Sequence, residues 1–294
     1  MAEITAAMVK DLRERTGAGM MECKKALVEA NGDLQAAEDI IAKSGSKKAA
    51  KSASRTAAEG RITIASSGRQ AAILEVNCET DFVARDENFI QFCEKITQQA
   101  VAKNVADAEQ LLALPTEGNQ TVEEVRKSLI ARIGENIQIR RVNCLQANDN
   151  QRFGTYIHHA RIGVIVLLQG GNDQLAKDLA MHIAAMKPQY LSPADVPSAI
   201  VDKEKEILFE RAAQSGKPKE IVEKMIAGQL QKQLAEICLM GQPFFKDPDQ
   251  TIGSLLKSNQ SEIKQMVRFE VGEGIEVVKK SFEEEVNAAR GDTP

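Results

Sequence analysis

At 294 residues, with 43% apolar and 27% charged side chains and a formal net charge of −4, the chain has the length of about two domains and enough apolar material for their cores. The charge excludes a global basic field for nucleic acid, and no apolar run approaches the roughly 20 residues of a membrane span. Aromatic residues are only 4% and tryptophan is absent, so the cores must be built from Ala, Leu, Ile, Val and Met, which favours a helix-rich α+β chain.

The opening MAEITAAMVKDL carries an early acid and no long apolar stretch, unlike a signal peptide. Three short helices follow within about 45 residues. Ile4, Met8 and Leu12 share one face, with Thr5 placed to cap it. TGAG breaks the pattern, MMECKKALVEANG resumes it, and Asn31-Gly32 stops it where a left-handed cap is cheap. Asp33 caps DLQAAEDIIAKSG, which stops at Gly45. The next stretch, with Lys43, Lys47, Lys48, Lys51 and Arg55, is small, polar and basic. It lacks large apolar residues, so it reads as a linker that buries little.

From about residue 60 the period changes to two. RITIAS, a Ser-Gly turn and AAILEVNC form a hairpin. A helix with Phe89, Phe92, Cys93, Ile96 and Ala100 on one face follows, then a second, TVEEVRKSLIARIG, and the strand NIQIRRVNCLQ. The order then recurs: GTYIHHA and RIGVIVLLQGG as a hairpin, DQLAKDLAMHIAAMK as a helix, and MVRFEVGEG as the returning strand. Two copies imply two packed α+β subdomains. Residues 191–239 interrupt the second copy with two amphipathic helices. A short SGK loop, with Gly216 as a stop and Pro218 at a first helical position, makes them antiparallel neighbours. Val222, Met225, Ile226, Leu230, Leu234 and Ile237 form a stripe broad enough for more than one contact. It packs either on the chain's own body or on another chain, including a second copy. Ile275, Val278 and Phe282 mark the apolar side of a final helix.

Catalytic signatures are sparse. The five cysteines (Cys23, Cys78, Cys93, Cys144, Cys238) are scattered and never C-x-x-C, the pattern of reduced cytoplasmic thiols rather than disulfides or zinc. His158 and His159 fall in one expected strand and so point to opposite faces; with His182 they read as surface or satisfied core groups, not a metal site. No phosphate-loop motif occurs, and the acidic pairs read as solvated helix faces. The basic run lacks interleaved aromatics, so no direct nucleic-acid contact is expected. No cofactor or metal is expected either. What stands out is apolar side chains in loops: Met20 and Met21 after a glycine turn, Phe82 in TDFV, and Phe244 and Phe245 in GQPFFKDP. Each alone reads as core filling, and together they read as the wedges of a binding protein.

Seven segments, TGAGMMECKKAL, EVNCETDFVARDENF, IGENIQIRRV, HHARIGVIV, SGKPKEIVEKM, GQPF and RFEVGEGIE, occur in this order. Together they resemble the elongation factor Ts family over essentially the whole chain. Members are guanine nucleotide exchange factors for elongation factor Tu and catalyse no covalent reaction. The resemblance implies an N-terminal three-helix domain of the ubiquitin-associated type with its basic linker (1–55) and a first core subdomain (56–146). It divides the second core subdomain into two parts (147–190 and 240–274) around a helical-hairpin dimerisation insertion (191–239). A C-terminal helical module (275–294) ends the chain. It also implies that Thr80, Asp81, Phe82 and Val83 dislodge Mg²⁺ from elongation factor Tu, with further contacts from Met20, Met21, Lys24, Ile133, His158, Phe244 and Phe245. A cytoplasmic protein is expected. A helical adaptor without exchange activity explains the N-terminal helices but gives TDFV no role. An enzyme, with Cys78 as its best nucleophile, is a distant third.

Overall fold

The computed structural model describes residues 4–116, 120–213 and 219–276. Helix α1 (Ala6–Thr16) starts where expected, the Thr5 hydroxyl accepting the Met8 N–H at 3.3 Å. Helix α2 (Met20–Glu29) is followed by Asn31 and Gly32, both left-handed, and Asp33 caps α3 through the Ala36 N–H. Val9, Leu12, Cys23, Leu27, Ala37 and Ile41 form the common core, with Ile4 and Met8 at its margin.

Helix α3 differs from expectation. It does not stop at Gly45 but runs Leu34–Ser52. The segment expected to be a linker is therefore helical, and it buries Gly45, Ala49 and Ser52 while packing against α6 (Val122–Ile133). A Cβ on Gly45 would stand 3.3 Å from the Ala131 Cβ. Small residues here allow close helix approach; the absence of large apolar side chains did not mean absence of burial.

Strands β1 (Glu59–Ser67) and β2 (Gln70–Cys78) form the expected hairpin, and β3 (Gln138–Gln146) pairs on the far side of β2. Helix α4 (Glu87–Lys103) buries Phe89, Phe92, Cys93, Ile96 and Ala100 against this sheet. A short helix α5 (Ala108–Ala113), unforeseen in the sequence, precedes α6. The second sheet repeats the connectivity. Strands β4 (Gln151–His158) and β5 (Ile162–Gln169) form a hairpin, and α7 (Asp173–Met186) covers them. After an insertion come a short pair, β6 (Pro243–Phe244) and β7 (Asp247–Thr251), then α10 (Ile252–Ser258). Strand β8 (Glu262–Glu270) then returns to the far side of β5. Each central strand also shifts register once against its returning strand, at Glu75/Val76 and at Leu167/Leu168.

The two sheets meet through Ile62, Ala71, Ile73, Leu145, Ile165 and Val271. Gly163 is required there, since a Cβ would lie 2.4 Å from Ile62 Cγ2. The Ile62 N–H donates to Ala160 O at 2.7 Å, tying the second hairpin's turn to the first sheet.

The insertion comprises α8 (Ser198–Ala213) and α9 (Lys219–Ile237), which pack on each other through Leu208, Val222, Ile226 and the half-buried Leu230. Its base is narrow: the N–H groups of Gln189 and Tyr190 both donate to Ile237 O. Of the expected stripe, Leu234 and Ile237 are half-buried and Met225 is exposed. The expected SGK loop with Gly216 and Pro218 lies outside the described residues, as do Val278 and Phe282 of the expected terminal helix.

Candidate functional site

Strand β2 ends at Cys78 and α4 begins at Glu87, leaving eight residues to reverse the chain. They do so in one tight 3₁₀ turn (Val83–Arg85), with Ala84 N–H on Thr80 O, Arg85 N–H on Phe82 O and Asp86 N–H on Val83 O. Asp86 then caps α4, accepting the N–H groups of Asn88 (2.9 Å) and Phe89 (3.2 Å). Burial works against ionising this carboxyl, but those hydrogen bonds, with the Asn88 side chain, hold it below the usual carboxylate range. Val83 and Ala84 pack toward the first core, where Phe89 and Phe92 anchor the helix behind the turn. Phe82 is left 82% exposed. Among the described residues it is the most exposed of the large apolar side chains. Asp81 pairs with Arg85 at 3.0 Å, an exposed pair of little energetic weight.

The turn is braced from below. One oxygen of Glu135 accepts the N–H groups of both Glu79 and Thr80 at 3.0 Å, and the other accepts the Thr80 hydroxyl at 2.7 Å. In return the Glu79 carboxylate accepts the Asn136 N–H at 2.5 Å and pairs with Arg55 at 3.2 Å. Arg55 also donates to Gly134 O, and the Asn136 amide donates to the carbonyls of Ala53 and Arg55. The end of α3, the turn after β2 and the turn after α6 thus share one polar lattice. Sequence reasoning missed Glu79, Glu135, Asn136 and Arg55. It searched for acids at helical spacing, and these two carboxylates meet only because β2 and β3 are neighbours. The one signal was that Glu79 lies within EVNCETDFVARDENF and Glu135 within IGENIQIRRV.

The other expected contact residues lie on separate elements. Met20 (57% exposed) and Met21 (66%) open α2, with Lys24 exposed one turn on. Ile133, the last residue of α6, is half-buried against the first core, the same core that Val83 packs on. His158 is exposed at the end of β4. Of the two histidines expected in a strand, His158 is its last residue, whereas His159 is corrected: it leaves the strand and joins Ala160 in a two-residue turn, both left-handed. The rings do not point to opposite faces but meet edge-on, with centroids 4.2 Å apart, and the Tyr156 hydroxyl lies 3.1 Å from His158 Nδ1. Among the described residues no three metal-ligating side chains cluster.

The pair of wedges expected in GQPFF is corrected for one member. Phe244 is 7% exposed and belongs to the second core, while Phe245 is 39% exposed and packs edge-on against it at 5.1 Å. Phe244 is the last residue of β6, whereas Phe245 already lies in the turn that leads to β7. The loop is pinned by Gln242, whose carbonyl oxygen lies 3.1 Å from Nε2 of the buried His182 and whose amide donates to Glu236 O. Burial pushes the His182 pKa down, with the Gln242 hydrogen bond opposing. Cys78 is buried, and burial, then Glu135 and Glu59, push its thiol up to about 12, which suppresses the thiolate a nucleophile needs.

A sequence model of the family described as Elongation factor TS matches residues 79–273, from the lattice below Phe82 into the VGEG turn. The chain is 54% identical over 285 residues to elongation factor Ts of Idiomarina loihiensis, covering 97% of each chain. It is 53% identical over 287 residues to that of Thioalkalivibrio sulfidiphilus (97% of this chain, 98% of the relative). It is 52% identical over 290 residues to that of Photorhabdus laumondii (98% and 99%). With such agreement over nearly the full length of each relative, the chain belongs to the elongation factor Ts family of translation elongation factors.

Proposed function

We propose that this chain binds the GDP form of elongation factor Tu and speeds GDP release, so that GTP can replace it. The observation that carries the reading is the exposure of Phe82 on a turn whose backbone is hydrogen-bonded on both sides. In this mechanism Asp81 and Phe82 enter the nucleotide-binding domain of the GTPase. The phenyl ring wedges beside the magnesium site, dislodges Mg²⁺ and disturbs the loop that cradles the β-phosphate. Such GTPases hold GDP largely through that cradle and metal, so disturbing both lowers nucleotide affinity.

The coupling is reciprocal. If the factor weakens GDP, GDP weakens the factor by the same ratio, and entry of a nucleotide expels it. About a thousandfold faster release needs a barrier lower by about 4 kcal/mol. Burying one phenylalanine supplies about 1.5–3 kcal/mol. Phe82 alone does not suffice, and the exposed Met20, Met21, Lys24, His158 and Phe245 serve as the rest of a distributed interface. Phe244 acts indirectly, by fixing the loop that carries Phe245. The same reading assigns the α1–α3 unit to a ubiquitin-associated type and the α8–α9 hairpin to self-pairing. It takes the whole as a cytoplasmic exchange factor without a covalent reaction of its own.

The test is direct. Elongation factor Tu loaded with a fluorescent GDP is mixed with this protein and release is followed. Saturable acceleration at micromolar protein is expected; an unchanged rate rejects the exchange function.

A further inference from the structure

We propose that Glu135 is a positioning residue for the Phe82 wedge, an inference that rests on the exchange reading above. Thr80 is the pivot of the turn. Its carbonyl accepts the Ala84 N–H and the Cys78 thiol, and its hydroxyl oxygen accepts the Val83 N–H at 3.4 Å. Its own N–H and O–H both go to Glu135. Whatever holds Thr80 therefore sets the direction in which Phe82 leaves the surface. Phe82 has no packing of its own to do this, being exposed.

Glu135 is suited to the task because it is itself held. It follows Gly134, the left-handed cap of α6, whose carbonyl is bound by Arg55, and it precedes Asn136, whose N–H is bound by Glu79. The two carboxylates cross: each accepts a backbone N–H from the other's turn. A crossed pair resists sliding of either turn past the other. Preorganising a wedge in this way reduces the ordering cost when it enters a pocket.

The experiment uses the full chain with Glu135→Ala and Glu135→Gln. In the free protein, amide hydrogen exchange at Glu79 and Thr80 accelerates at least about tenfold in Glu135→Ala, while α4 stays protected. Unchanged protection at those two amides overturns the proposal, whatever the activity. In GDP release, Glu135→Ala lowers the maximal rate about tenfold and leaves the half-saturating concentration within about twofold, because the remote contacts survive. Added to Phe82→Ala, it produces no further loss. A further, additive loss, or a change confined to half-saturation, overturns the positioning role. Glu135→Gln keeps an oxygen for the two amides and an NH₂ for the Thr80 hydroxyl, and it restores most of the rate; a Gln variant as slow as the Ala variant refutes the hydrogen-bond account. If the wild-type chain does not speed release, the exchange reading fails, and the amide-exchange arm alone decides whether Glu135 holds the turn.

Discussion

The N–H of Gly272 donates to a carboxylate oxygen of Glu75 at 2.8 Å, across 197 positions of sequence. Glu75 is fully buried, and its charge is met by Arg140 Nη1 on both oxygens (3.0 and 3.2 Å), Arg141 Nε (2.5 Å) and Asn77 Nδ2 (3.1 Å). The same arginines reach on to the carbonyls of Glu273 and Glu270. The segment after β8 is thereby fastened to the strand that leads into the Phe82 turn. Gly272 is needed for this: it is left-handed (φ 75), and a Cβ would stand 2.3 Å from Ala58 O.

Removing Glu75 leaves two arginines and a backbone donor without their partner. The Glu75→Ala variant is expected to lose about 3 kcal/mol of stability in urea unfolding, since breaking a buried pair costs the stranded charge its compensation. Gly272→Ala should also destabilise, and the double variant should lose less than the sum because both act on one contact. Strict additivity would show that the two residues are not coupled.

Phe82→Ala separates function from folding. An exposed side chain contributes little to the folded state, so the unfolding free energy should change by no more than about 0.5 kcal/mol. The maximal rate of GDP release should fall by at least about tenfold. Full exchange activity in a folded variant would remove Phe82 from the mechanism.

Acid should act in two windows. His182 is buried and its folded pKa is depressed by burial below the ordinary 6.5. The unfolded chain therefore binds a proton that the folded chain refuses; stability is complete above about pH 6.5 and declines as pH falls below it. Glu270 is shifted down by hydrogen bonds from Arg268 and Lys187. Glu273, despite burial, is shifted down by Lys187. Their contribution is present above the ordinary 4.5 and is lost as pH falls through their depressed folded values. Thermal unfolding between pH 7.5 and 5 should show a decline that His182→Phe flattens; an identical decline in that variant would assign it elsewhere.

The α8–α9 hairpin meets the second subdomain at its base, where Gln189 and Tyr190 donate to Ile237 O and the Gln242 amide donates to Glu236 O. Replacing residues 198–235 by a short glycine-rich link should leave the remainder cooperatively folded. Light scattering is expected to read a dimer for the full chain and a monomer for the shortened one. A full chain at the single-chain mass of 32.1 kDa, or a shortened chain that remains dimeric, counts against self-pairing through the hairpin.

Much of the fold was legible in the sequence because its signals are short-range. Thr5, Asp33 and Asn31-Gly32 act on groups within four or five residues, and the faces of α4 and of the two hairpins follow from local period. Helix α5 was missed because six residues carry too little periodicity. The reach of α3 was missed because its buried face is glycine, alanine and serine, whose burial depends on a helix about 80 residues away.

The sequence by itself determined the order of the longer helices and strands, the repeat of hairpin, helix and returning strand, and the family, since motifs and periodicity are properties of the chain. Only the tertiary structure decided that Phe82 faces solvent while Phe244 faces the core, and that Glu135 and Glu75 hold segments 55 and 197 residues distant. Apolar side chains in turns look alike in one dimension. Whether each is plug or wedge depends on which surfaces long-range packing leaves open, and a buried carboxylate is tolerable only where the fold assembles its donors.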